Sequence, residues 1–216
     1  MPEAKRIPLD LKQMRERSGR TRSELADDLR LSVMLVGKLE NGHGNPRLST
    51  IFQLCSVLAK YLRRTPRVIF DELLSKELYD EFTEIRVQAV GKLEAAEDHP
   101  GSFKAKQKFL EHGVLSEVET SLRHLSYDKF QELYATSQFS QMELVRLTGL
   151  SERRLSQIFG VSAGRSGNMS LWVFLRLAAA LSPIHGASIK ETVFYLINRE
   201  LDELTQLYER EQQSCN

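Results

Sequence analysis

The sequence has no long apolar segment and few cysteines, and each absence excludes a class of protein. No apolar run approaches the roughly 20 residues of a membrane-spanning helix. Residues 1–10 lack the apolar segment of a signal peptide, so we expect a cytoplasmic protein without membrane association. The two cysteines, Cys55 and Cys215, form neither a disulfide framework nor a zinc-binding spacing. Cys55 lies in an apolar helical pattern and is expected to be a small buried side chain.

Sequence motifs of catalysis and of nucleotide binding are absent as well. There is no phosphate-cradling glycine loop, no HExxH motif and no nucleophile elbow. The glycine-rich segment 160–168 is interpreted as a loop extension. The histidines are scattered along the chain: His43, His99, His112, His124 and His185. We therefore expect no catalytic residue, no metal site and no cofactor.

The distribution of charge along the chain is more informative than its total of +1. Residues 1–65 hold 13 Lys and Arg against 7 Asp and Glu (+6), and residues 66–125 hold 8 against 12 (−4). Residues 126–185 hold 6 against 4 (+2), and residues 186–216 hold 3 against 6 (−3). Binding to phosphate needs local positive charge. Segments 1–65 and 126–185 are therefore the candidates for contact with a polyanion.

Two segments of the chain repeat one pattern. Thr21–Gly42 (TRSELADDLRLSVMLVGKLENG) and Ser140–Gly160 (SQMELVRLTGLSERRLSQIFG) align when Leu25 is placed on Leu144. Each begins with a hydroxyl residue followed three positions later by Glu, which is the signature of a capping box. Apolar residues recur every three or four positions, so the spacing predicts two short helices joined by a tight turn, in an all-α fold.

The repeat continues beyond these segments and predicts the domain organisation. An apolar helix is predicted over Leu48–Tyr61, and its part Leu48–Leu58 matches Leu171–Leu181. Acidic amphipathic helices are predicted over Val68–Ala96 and Ile189–Glu211. A break at Glu97–Gly101 and a further helix over Phe103–Leu125 precede the second copy. The predicted domains are a first module (1–65), a helical connector (66–125), a second module (126–185) and a C-terminal helix (186–216).

The two long acidic helices have three interpretations. They pack in the core of a domain, or pack together as an intramolecular pseudo-dimer, or form the interface of a homodimer.

Residues 9–62 carry a fairly specific pattern, formed by Leu25-Ala26, Val36, Leu39-Glu40-Asn41-Gly42 and Pro46. This segment resembles the Cro/repressor-type, or Xre-like, helix-turn-helix family. The resemblance implies that Arg15 in the first helix pairs with Glu40 at the end of the third.

Residues 128–185 resemble the same family more distantly, with Val145 at the small-residue position, Gly149 in the turn and Leu155 as the anchor. Tyr134 and Phe159 stand at the ion-pair positions. Both partners have changed together, which leaves no buried charge alone and supports two tandem, divergent copies.

The resemblance implies a set of DNA-contacting residues in each module. The candidates for base contact are Ser32, Val33, Met34 and Lys38 in the first module and Ser151, Glu152, Arg153 and Gln157 in the second. The candidates for phosphate contact are Arg22, Asn41 (through the backbone amides of Asn41 and Gly42), Gln141 and Arg154. Arg reads guanine, Gln reads adenine and Glu accepts from cytosine; the alternative for Arg153 and Arg154 is a solvated helix face.

These observations predict a sequence-specific, double-stranded-DNA-binding transcriptional regulator of bacterial, phage or plasmid type. Its two recognition helices are unlike, so the site is expected to be asymmetric. The alternative is an adaptor whose first module binds a protein partner through Val33, Met34 and Leu35, which are apolar where polar residues are usual. In that case only the second module contacts DNA, or neither does.

Overall fold

The computed structural model describes residues 7–97, 128–159 and 169–214, in which there are α-helices and no strand. The all-α prediction is confirmed for these ranges. The helices are α1 (Leu11–Arg17), α2 (Arg22–Leu29), α3 (Val33–Glu40), α4 (Leu48–Leu62), α5 (Pro66–Leu73), α6 (Lys76–Asp80), α7 (Thr83–Glu97), α8 (Asp128–Thr136), α9 (Gln141–Thr148), α10 (Glu152–Phe159), α11 (Leu171–His185), α12 (Ile189–Leu196) and α13 (Asn198–Ser214). The predicted linker after Glu97, the predicted helix Phe103–Leu125 and the loop 160–168 lie outside the described residues.

Capping boxes start α2 and α9, as the sequence predicts. The Thr21 hydroxyl accepts from the backbone N–H of Glu24 at 3.2 Å, and the Glu24 carboxylate accepts from the N–H of Thr21 at 2.8 Å. Ser140 and Glu143 form the same pair of bonds at 3.2 and 2.6 Å. Each box satisfies N–H groups that a helix start leaves without an intrahelical partner, which fixes where both helices begin.

The turn after each of these helices has one residue in the left-handed region. Arg30 ends α2 with φ of 53°, and Gly149 ends α9 with φ of 61°. A left-handed backbone favours glycine because it has no Cβ. The turn position predicted for Gly149 is confirmed, and the first turn adopts the same conformation with an arginine.

Helix lengths repeat between the two parts of the chain. Helices α2 and α9 have eight residues each, as do α3 and α10, and in both pairs the starts lie 119 residues apart. Helices α4 and α11 have 15 residues each, and α5 and α12 have eight each, with starts 123 residues apart. We call α1–α4 the first helix set and α8–α11 the second helix set.

The prediction of one continuous helix over Val68–Ala96 is wrong, because α5, α6 and α7 occupy this region with breaks between them. Leu74 is extended (φ −92°, ψ 97°) and forms an isolated antiparallel bridge with Leu9. The carbonyl of Leu73 accepts from the N–H of Asp10 at 3.1 Å. These contacts direct the chain out of the helix.

The helix predicted over Ile189–Glu211 is also interrupted, at Ile197 between α12 and α13. Ile197 has φ of −119° and ψ of 16°, which departs from helical geometry, while its side chain is fully buried.

The chain divides into two compact units, and the first unit contains Met1–Asp80, Ser170–Trp172 and Asn198–Asn216. Its helices are therefore α1–α6 and α13. Helix α13 packs against α4 and α5, with Leu201 and Leu204 buried. Ion pairs join Arg67 to Asp202 at 3.2 Å and Lys60 to Glu211 at 2.7 Å. Helices α5 and α13 overlap the two predicted acidic helices, so this packing agrees with core packing and equally with the two acidic segments packing together.

The second unit contains Glu81–Met169 and Val173–Ile197. Within it, α7 packs against α9, α9 against α10, and α12 against α8. Helix α7 lies in the first half of the chain, whereas α9 belongs to the second half. Each unit therefore contains at least one helix supplied by the opposite half of the sequence.

Of the helices in the described ranges, none alone has the length and hydropathy to span a bilayer. Helices α11 and α12 meet those criteria only as a pair, and that pair bends by 104°.

Candidate nucleic-acid interface

In the first helix set, α2 and α3 pack together through small and branched apolar side chains. Leu25 and Ala26 of α2 are fully buried, as is Val36 of α3, and Leu39 is 2% exposed. These are the packing positions that the sequence pattern indicates. Because the inner face of α3 is fixed by these contacts, its opposite face is presented to solvent.

Glu40 ends α3 and lies between two arginines. Its Oε1 accepts from Arg15 Nε at 2.5 Å, and its Oε2 accepts from Arg22 Nε at 2.5 Å. The Glu40 side chain is 0% exposed. The hydrogen bond to Glu40 raises the pKa of Arg15, since it favours the charged guanidinium. The predicted Arg15–Glu40 pair is confirmed, and Arg22, a candidate for phosphate contact, joins it while 44% of its side chain stays exposed.

The outer face of α3 exposes three consecutive apolar side chains. Val33 is 45% exposed, Met34 69% and Leu35 37%, and Lys38 is exposed one turn later. Ser32 caps the helix, because its hydroxyl accepts from the N–H of Leu35 at 3.2 Å. The start of α3 therefore offers an apolar surface followed by a cation.

The prediction that backbone amides of Asn41 and Gly42 face phosphate is wrong. The N–H of Asn41 donates to the Gly37 carbonyl at 3.2 Å, and the N–H of Gly42 donates to the Leu39 carbonyl at 3.1 Å. Both amides complete the end of α3. The side chain of Asn41, which is exposed, is the part of this residue that remains available for contact with phosphate.

In the second helix set, aromatic rings replace the buried ions. Tyr134 of α8 stacks on Phe159 of α10, with ring centroids 4.5 Å apart and planes inclined by 29°. Burial raises the pKa of the Tyr134 hydroxyl, and the nearby Glu143 carboxylate adds to this. Leu144 and Leu155 are fully buried, as Leu25 and Val36 are.

The outer face of α10 is polar. Glu152, Arg153 and Gln157 are exposed, and Arg154 is half-buried. Ser151 caps the helix by accepting from the N–H of Arg154 at 3.2 Å, and Arg154 Nη1 donates to Gln157 Oε1 at 3.2 Å. The exposed faces of α3 and α10 therefore differ in chemistry although the helices have the same length.

Sequence reasoning missed one role of Arg22 and Gln141, the first residues of α2 and α9. The sequence predicts phosphate contact for both residues, and the structure shows that each also forms hydrogen bonds to the helix that follows its own. Arg22 does so through Glu40, and Gln141 Nε2 donates to Ser156 Oγ at 2.7 Å and to the Glu152 carbonyl at 3.2 Å. The offset of 119 residues, which aligns Arg22 with Gln141, was the signal that could have found this shared role.

Other chemistry is not evident in the described residues. They contain no group of three or more His, Cys, Asp or Glu that could hold a metal ion. Cys55 is fully buried, as predicted, and burial raises the pKa of its thiol.

Comparison with known families gives one match, which covers α1–α4. Residues 11–63 match the helix-turn-helix family model HTH_3. This segment is an HTH_3 domain. An HTH_3 domain indicates a DNA-binding transcription regulator, in a family that is generally non-enzymatic. No curated protein and no solved structure matches the chain.

Proposed function

We propose that the chain is a sequence-specific, double-stranded-DNA-binding transcription regulator that reads an asymmetric site with two unlike recognition helices. In this proposal α3 and α10 are those helices. The observation that carries it is that α3 and α10 have equal lengths and different exposed faces, one apolar with a cation and one polar. The HTH_3 domain supports DNA binding by the first set.

The second helix set is, in this proposal, a diverged copy of the HTH_3 domain. Its support is the equal helix lengths, the capping box at the start of α9 and the left-handed turn at Gly149. The Tyr134–Phe159 stack at the position of the Arg15–Glu40 pair adds to this. The proposed modules are residues 1–65 and 126–185, with 66–125 as the connector and 186–216 as the C-terminal segment.

Arg153 and Gln157 lie one helical turn apart on the exposed face of α10, so both can face the same groove. Arg is suited to guanine and Gln to adenine. Gln157 Oε1 already accepts from Arg154, and its second lone pair is available to accept from the adenine amino group. In the first set, Arg30 and Lys38 are the cationic residues nearest to the apolar start of α3 along the chain, and both are exposed.

The proposal is tested by footprinting on a duplex that the full chain selects from a random pool. Lys38→Ala and Arg153→Ala should each weaken protection in a different part of the site, since each changes one recognition helix. Lys92→Ala and Arg210→Ala are matched controls, because both side chains are exposed on helices outside the two sets. Loss of protection in the same part with both test variants would contradict two separate recognition helices.

The exposed apolar start of α3 favours a second candidate, an adaptor in which the first module binds a protein. Salt dependence separates the two. The logarithm of DNA affinity falls with the logarithm of salt by about 0.9 for each phosphate neutralised. Two engaged modules should give a steeper slope than one, and Lys38→Ala should reduce it. A slope unchanged by Lys38→Ala, but reduced by Arg153→Ala, would favour the adaptor.

A further inference from the structure

The start of α3 is apolar on its exposed side as well as on its buried side. Val33, Met34 and Leu35, here called the apolar triad, are 45%, 69% and 37% exposed, although Val36 beside them is fully buried. The packing of α2 against α3 therefore does not use the triad. An exposed apolar patch on a helix of this kind indicates a contact surface.

The helix that carries the triad exposes one cation and no carboxylate. Lys38 follows Met34 by one helical turn and is exposed, and Arg47, at the N-cap of α4, is exposed as well. The only acidic residue of α3 is Glu40, whose side chain is fully buried against Arg15 and Arg22. The exposed face of α3 therefore carries apolar groups and a cation without a carboxylate, which suits a polyanion.

The triad also limits what can be read in a major groove. Val, Met and Leu side chains have no strong hydrogen-bonding group, so they cannot pair with the polar edges of guanine or adenine. Covering such an edge with apolar groups would leave it unsatisfied, at a cost in free energy. The apolar feature of the major groove is the C5-methyl group of thymine, and 5-methylcytosine carries a methyl at the same ring position.

We propose that the apolar triad makes the first module a reader of C5-methyl groups on pyrimidines in duplex DNA. This inference rests on the proposed function, because it assumes that α3 enters the major groove. Val33 and Met34 are the residues that contact methyl groups, and Lys38 holds the neighbouring phosphate or base. The triad thus gives sequence preference without a hydrogen bond.

The experiment uses the full chain and the duplex it selects from a random pool. Deoxyuridine replaces thymine at one position at a time, which removes the methyl and keeps the hydrogen-bonding edge. Each contacted methyl should change the affinity by about fourfold, equivalent to about 0.8 kcal/mol. At one such position, a C·G pair replaces T·A with and without C5-methylation of the cytosine. The methylated pair should bind about fourfold more tightly, whereas no gain from methylation would assign the contact to thymine itself and overturn the proposal.

The protein variants show which side chain reads the methyl. Met34→Ala, at an exposed position that leaves the core intact, should bind the uracil-containing and thymine-containing duplexes equally at the position whose methyl Met34 contacts, and keep the difference at a position that Val33 contacts. Val87→Ala is the control, since Val87 is 61% exposed on α7 and should keep the full difference. Binding to DNA without any effect of uracil would overturn this inference, assign the triad to a protein contact and leave the DNA-binding function standing. Absence of binding to any duplex would instead overturn the proposed function.

Discussion

Tyr134 stacks on Phe159, and the offset of 119 residues between the starts of α2 and α9 places these two residues opposite Arg15 and Glu40 in the sequence alignment. One set thus joins its first and third helices with a buried ion pair and the other with an aromatic stack. A charge left alone in a protein interior is costly, so such a pair changes as a unit. The same interhelical contact is made by two kinds of chemistry within one chain.

The aromatic stack should show energetic coupling. Tyr134→Ala and Phe159→Ala, alone and together, are expected to give a coupling free energy of about 1 kcal/mol in a double-mutant cycle. The measurement is urea-induced unfolding of the full chain. Tyr134→Ala combined with Leu207→Ala, which changes an exposed side chain on α13 in the other unit, should be additive. Additivity for the aromatic pair as well would show that the stack adds nothing beyond burial.

Removing the charge of Glu40 should be much more costly. Glu40→Gln leaves Arg15 buried without its counter-ion, so we expect a loss of about 3 kcal/mol in the free energy of unfolding. Arg22→Ala should lose under about 1 kcal/mol, because Arg22 is partly exposed. Replacing the ion pair with the aromatic pair of the second helix set, through Arg15→Tyr and Glu40→Phe together, should recover part of the free energy of unfolding that Glu40→Gln loses. A double variant less stable than Glu40→Gln would contradict the equivalence of the two pairs.

The two left-handed turn residues should respond in opposite directions. Gly149→Ala should destabilise by about 1–2 kcal/mol, because alanine disfavours positive φ, and its Cβ would lie 3.0 Å from Arg176 Nη2. Arg30→Gly removes the same backbone strain and should stabilise by up to about 1 kcal/mol. Gly91→Ala is the control, since Gly91 lies within α7 with no atom within 4 Å of an added Cβ. It should stabilise the chain, and all three are measured by thermal unfolding.

Two capping boxes, Thr21–Glu24 at the start of α2 and Ser188–Glu191 at the start of α12, should make stability fall in acid. The backbone N–H of Thr21 and then its hydroxyl lower the pKa of Glu24, and the hydroxyl of Ser188 and then its N–H lower that of Glu191. Because both folded pKa values lie below the ordinary 4.5, the stabilisation is present above that pH. It is lost as the pH falls through the lowered values.

NMR titration of the two carboxyl groups measures this directly. Thr21→Ala and Ser188→Ala should each return the pKa of the partner carboxyl toward its ordinary value. Titration of Glu24 and Glu191 at the ordinary pKa in the unmodified chain would contradict the effect of the caps.

Local patterns were enough to predict the helix pairs and their caps. Thr21 and Ser140, each followed by Glu three positions on, specified the starts of α2 and α9 through hydrogen bonds that span only three residues. Leu25, Val36 and Leu155 were placed at packing positions by the family resemblance, and all three are buried. The pairing of Arg15 with Glu40 came from the family resemblance, not from spacing.

Contacts distant in sequence were the ones that could not be predicted. The break at Leu74 depends on a bridge to Leu9, and the packing of α13 depends on α4 and α5. Neither contact leaves a periodic signal in the sequence. The periodicity of an amphipathic segment shows that the segment has an apolar face, but it does not indicate which helix packs against that face. For the same reason, the exposure of Met34 could be suspected from its neighbours but had to be observed.

The packing of α13 on α4 and α5, and of α7 on α9, has a consequence for how the chain can be shortened. A product that stopped after residue 97 would lack α13, which packs on α4 and α5, and a product that began at residue 128 would lack α7, which packs on α9. Neither fragment therefore contains all the helices that pack in its hydrophobic core. Truncation or proteolysis in the connecting region is therefore expected to destabilise both helix sets, and it does not release either one as a stable fragment.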